Sequence, residues 1–186
     1  NVTAGKVGSC AGFTAASSQY LSIGSNATLQ MCDVDFTIAA WVYLTAATEA
    51  MVAGKWSAVG SLEYILYAST TEPPFFAVSA NGTATGQAGG TVPMQLNRWY
   101  FLVGWHDSVR NEVGFEIDNT GPVIASWANG VLAGTGAFEV GREPEVTPIR
   151  YVTGRIDALG LWKNRVFTAA ERSALYHGSV GREPPC

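Results

Sequence analysis

The chain has 186 residues, a length that suits one hydrophobic core better than two. Hydrophobic residues make up 47% of it and charged residues only 14%, against roughly 25% in ordinary globular domains, which excludes a disordered chain. The net charge is −4 and no run of Lys and Arg forms a basic stripe, so nucleic acid is excluded as a partner.

The longest apolar stretch, residues 36–47, falls well short of the ~20 residues a membrane-crossing helix needs, so no membrane span is predicted. The chain opens on Asn1 and is read as either processed or cut from something longer. Cys10, Cys32 and Cys186 lack the close pairing of zinc or redox sites. They permit at most one intrachain disulfide, and small buried thiols are the equal alternative.

In chain order, strands are predicted at Tyr20–Ile23, Phe36–Leu44, Met51–Ala53, Glu63–Ala68 and Phe75–Ser79. The Gly- and Thr-rich stretch 83–91 reads as a long loop, and strands resume at Trp99–Trp105, Glu112–Asp118, Val123–Trp127, Ala137–Val140 and Arg155–Trp162. Phe36–Leu44 is apolar or aromatic on both of its alternating faces, the mark of a central strand. One helix is predicted over residues 168–178, with Thr168 and Glu171 as a capping box and Gly178 as its terminating residue. The fold class that follows is all-β: a two-sheet antiparallel sandwich with one short C-terminal helix. A single domain over residues 1–186 is expected, its core at about 10–178 and residues 179–186 forming a surface tail.

The segments Gln19-Tyr20-Leu21-Ser22-Ile23-Gly24, Phe36-Thr37-Ile38-Ala39-Ala40-Trp41-Val42 and Val52-Ala53-Gly54-Lys55 resemble, in order and spacing, laminin-G-like domains of the concanavalin A-like jelly-roll superfamily. Asn97-Arg98-Trp99-Tyr100-Phe101-Leu102-Val103, Val140-Gly141-Arg142 and Gly154–Trp162 with the helix after it continue the match. The resemblance implies a jelly roll whose N-terminal strand lies near the last strand. It also implies a non-catalytic module on an external surface (secreted, cell-surface or virion) that recognises glycan or a surface protein. The alternatives are a structural or decoration protein of a virion or cell-surface assembly, with self-association, and a glucan-active glycoside hydrolase.

Glu116 and Asp118, two apart before an Asn119-Thr120-Gly121 turn, are the nearest thing to paired catalytic carboxylates, but no third acid follows and the structural role is preferred. His106-Asp107-Ser108 has triad residue types, yet neighbours on a strand point to opposite faces and cannot align. The resemblance implies one structural calcium ion as cofactor, with Asp157 of Gly154-Arg155-Ile156-Asp157 as a ligand and Asp33 with Asp35 as a second, rim-loop candidate. For a sugar, aromatic platforms are needed, and Trp56, Trp127, Phe75 and Phe76 are the candidates for ligand contact. Trp41, Trp99 and Trp162, inside predicted strands, are assigned to packing.

Overall fold

The computed structural model describes residues 1–57, 61–144 and 149–182. Its strands, numbered in chain order, form two antiparallel sheets. The seven-stranded sheet runs β1 (Val2–Ala4), β2 (Ser9–Phe13), β13 (Gly154–Lys163), β4 (Phe36–Leu44), β9 (Trp99–Asp107), β10 (Glu112–Ile117), β11 (Val123–Ser126). The six-stranded sheet runs β3 (Leu21–Ile23), β12 (Phe138–Val140), β5 (Glu49–Trp56), β6 (Leu62–Ser69), β7 (Phe75–Ser79), β8 (Thr85–Gly89). The N-terminal strands do lie beside the last one, with β2 paired to β13.

Alternation along β4 explains why two sheets stack. Phe36, Ile38, Ala40, Val42 and Leu44 face the other sheet and share a core with Tyr64, Leu66, Phe76, Val78 and Leu102. Phe36 meets Tyr64 and Phe76 edge-on, at ring distances of 5.3 and 5.8 Å. Phe76 reaches that position because β9 offers Gly104 opposite it, where any side chain would collide with the ring. The outward face of β4, Ala39 and Trp41, packs with Phe101, Val103 and Trp105 beneath Phe167 and Leu175. Burial of each large side chain in these clusters stabilises the fold by about 1.5–3 kcal/mol.

The helix α1 (Ala169–Tyr176) covers this outward face. Eight residues are too few to hold a helix in isolation, so its ends and its packing decide. Thr168 Oγ1 accepts from the Glu171 amide at 3.3 Å and Glu171 Oε2 accepts from the Thr168 amide at 2.8 Å, the predicted capping box. Arg172 lies buried with its guanidinium 4.5 Å from the Trp105 ring centre, donates to the Phe167 carbonyl at 2.7 Å and pairs with Glu116 of β10. The chain leaves the helix through left-handed His177 (φ 47°) and then Gly178 (φ 59°), so the exit begins one residue before the predicted glycine.

Three local expectations are corrected. The predicted loop at 83–91 contains the edge strand β8, whose buried positions are Gly86 and Ala88. Their small side chains give no apolar alternation to read. The segment Gln19–Gly24, matched above, is strand only at Leu21–Ile23, and a short 3₁₀ turn occupies Ala15–Ser17 before it. The hairpin β1–β2 precedes it and was not predicted. No described helix is long and apolar enough to cross a membrane.

Candidate functional site

Where α1 ends, the outward face of the seven-stranded sheet is left partly uncovered. Trp41 and Tyr43 are two apart on β4 and share that face, while the register sets Trp99 of β9 and Arg155 of β13 on either side of Tyr43. The rings of Tyr43 and Trp99 lie 5.3 Å apart, and Trp41 stacks on Tyr176 of the helix at 5.7 Å. Trp41 is buried, whereas Tyr43, Trp99 and Tyr176 are half-buried and keep ring surface at the boundary with solvent. A recess of about 290 Å³ opens here, walled by Trp41, Trp99 and Tyr176 and bordered by Lys6, Arg98, Asp118 and Ser179.

Lys6 reaches the recess because Asp157 fixes the turn between β1 and β2. Asp157 Oδ2 accepts from the Val7 amide at 2.8 Å and presses against Gly5, where a side chain would collide with the carboxylate. Oδ1 accepts from the Ala158 amide at 2.8 Å, inside a register shift of β13 that turns Ala158 left-handed (φ 45°). The Lys6 ammonium then sits 4.8 Å from the centre of the Trp41 ring. On the opposite border, Asp118 Oδ1 accepts from the Phe101 amide at 2.8 Å and Oδ2 from Arg98 at 3.0 Å.

The predicted site residues fall elsewhere and apart. Trp56 and Phe75 do share a surface, the outward face of the six-stranded sheet, where both pack half-buried against Met51, Ile65, Tyr67 and Ala77. Phe75 stacks on Tyr67 at 4.4 Å. Phe76 is fully buried in the inter-sheet core, which corrects its assignment to ligand contact: adjacent strand residues face opposite ways, so only one of the pair can point outward. Trp127 lies against Gly86 of β8, and its indole N–H donates to the Gly130 carbonyl at 2.7 Å.

The acids of the two separate calcium candidates, Asp157 and the Asp33 and Asp35 pair, have the following surroundings. Asp157 engages both oxygens with backbone amides, while Asp35 Oδ1 accepts from the Ser108 amide and hydroxyl at 2.9 and 2.8 Å. Asp33 is exposed, 4.0 Å from the buried His106 imidazole. Asp157 pairs with Trp41 and Asp35 precedes Phe36, a separation of six residues or about 20 Å along β4. Among the described residues no three His, Cys, Asp or Glu side chains group together.

Glu116 and Asp118 do not act as a pair either. Strand β10 ends at Ile117 and Asp118 turns left-handed (φ 51°), which breaks the alternation that would put both on one face. Glu116 is taken up by Arg172 and by the Gly121 amide at 3.1 Å. Of the cysteines, Cys10 is buried and Cys32 exposed, and both are free thiols. Burial, with Asp157 nearby, raises the pKa of the Cys10 thiol, while Cys186 lies outside the described residues.

A larger cleft of about 750 Å³ opens between the two sheets at the edge formed by β2, β13, β3 and β12. Small and aliphatic side chains line it together with Phe13, Tyr20, Asp157, Ser9 and Ser18, and the Tyr20 ring is covered by Arg142 at 3.4 Å. The smaller recess sets three rings, Trp41, Trp99 and Tyr176, around charged and hydroxyl groups, and for that denser aromatic wall it is the candidate site.

The sequence matches, over residues 15–171, the family model described as the concanavalin A-like lectin/glucanases superfamily. Among curated proteins it has no match. Domain 4 of a GH43 extracellular arabinanase from Geobacillus stearothermophilus, solved with arabinotriose, superposes with a TM-score of 0.67 at 14% identity, covering 97% of this chain and 80% of that one. A sialidase carbohydrate-binding module from Ruminococcus gnavus, bound to α2,3 sialyllactose, gives 0.61 at 11% identity, with coverage of 84% and 95%. Domains LG4-5 of the mouse laminin α1 chain give 0.56 at 17% identity over 82% of this chain, which spans only 39% of that fragment. At such identities the likeness is one of fold.

Proposed function

We propose, from the premise that the chain belongs to the concanavalin A-like lectin/glucanases superfamily, that it is a non-catalytic extracellular module that binds glycan in the recess beside Trp99. The observation that carries this reading is the half-buried rings of Trp99 and Tyr176 in the wall of a recess bordered by Lys6, Arg98, Asp118 and Ser179. Aromatic faces stack on the apolar face of a pyranose, and polar groups at the margin select its hydroxyls. The arabinotriose- and sialyllactose-bound relatives support a sugar as the ligand class. A non-catalytic role is supported by the carboxylates closest to a catalytic pattern in the sequence, since Glu116 and Asp118 are each matched to an arginine and to a backbone amide. A glycosidase needs two carboxyls flanking one bond.

A glycan array probed with the wild-type chain and with Trp99→Ala tests the reading. The wild type is expected to bind a defined set of glycans, and the variant to lose about tenfold or more in affinity, the effect of removing a stacking ring, with its melting temperature retained. Absence of glycan binding by the wild type, or equal binding by both, overturns it.

A further inference from the structure

The recess carries a positive charge that the fold leaves unmatched. The sequence has three lysines, Lys6, Lys55 and Lys163, in a chain of net charge −4. Lys55 is buried 2.7 Å from Glu63 and also donates to the Gly134 carbonyl at 2.9 Å. Lys163 is held by the carbonyls of Ala27 and Gln30. Lys6 alone of the three has neither an acid nor a carbonyl within reach among the described residues, and it is poised over Trp41 at the recess. Arg155 is comparable: it lies 5.2 Å from the ring of Tyr43 and among the described residues donates only to the Ala4 carbonyl, at 3.2 Å.

A second, independent observation lies in the acids around the same recess. The two acids nearby are already matched: Asp118 to Arg98 and the Phe101 amide, Asp157 to the amides of Val7 and Ala158. An ammonium without an anion and aromatic rings thus meet at one place.

We infer that the ligand of this recess is an acidic sugar, a pyranose whose carboxylate is received by Lys6 while its ring stacks on Trp99. Arg155 adds attraction at longer range. This rests on the glycan-binding reading and narrows it.

The test is an array of carboxylate-bearing glycans beside their carboxyl-reduced counterparts, with calorimetry on the pairs that bind. The acid forms are expected to bind about tenfold or more tightly than the reduced forms, as a charge-assisted hydrogen bond predicts. The advantage should fade at about 0.5 M sodium chloride. Lys6→Met should remove most of the advantage of each acid form over its reduced partner, while Lys6→Arg keeps most of the preference. Equal binding of acid and reduced forms by the wild type overturns the inference and leaves the glycan reading standing. Equal weakening of both forms by Lys6→Met, without loss of the melting transition, also overturns it, because Lys6 would then act only through the shape of the turn. An array with no binding of any kind removes both readings.

Discussion

At the start of α1, Glu171 accepts from the Thr168 amide and pairs with Arg165, and these donors hold its carboxyl well below the ordinary value of 4.5, at about 2. A depressed folded-state value means that the stability it lends is complete above the unfolded value and is lost as pH falls from 4.5 to about 2. Glu171→Gln is therefore expected to be less stable than the wild type at pH 7, with the gap closing across that acid range in urea titrations; a gap independent of pH would contradict the assignment. Glu63 shifts the other way. Burial raises its carboxyl to about 7 against the opposing pull of Lys55, so its contribution favours folding increasingly as pH falls from 7 toward 4.5. Neither carboxyl faces the recess, and both were legible in the sequence only as charges. The capping box could be read from Thr168 and Glu171 because it is local, whereas the Lys55–Glu63 pair depends on two strands pairing side by side.

The helix is the element on which the recess depends, because Tyr176 and Ser179 come from its C-terminal end. Its tie to the sheet is the buried Arg172–Glu116 pair, reinforced by the Trp105 ring. Removing one partner of a buried pair leaves the other charge uncompensated, at a cost of about 3–5 kcal/mol. Glu116→Ala is expected to lose stability of that order and to weaken tryptophan near-ultraviolet dichroism. A variant of wild-type stability would show that α1 is held by its apolar face alone. Elements whose burial comes from their own side chains were legible: β4 and β7 appear with the predicted boundaries. Elements buried by others were not. Strand β8 consists of Thr, Gly, Gln, Ala and Gly, and it is covered by Trp127 from elsewhere in the chain.

Across the whole molecule, the low charge content resolves into two sheets around a shared core, with a second apolar layer under α1. The sandwich and its family were readable from the order of a few strands. The recess was not, for a topological reason. Lys6 arrives there only because the β1–β2 hairpin docks on β13, and Trp99, at the start of a buried strand, has half-exposed ring surface only because the helix stops short of it. Local pattern assigned Trp99 to packing and Trp56 and Trp127 to the ligand. The six indole N–H resonances of the folded chain separate these possibilities directly. Titration with a glycan that binds on the array is predicted to shift the signals of Trp41 and Trp99 and leave those of Trp56 and Trp127 in place. Shifts confined to Trp56 or Trp127 would contradict the account.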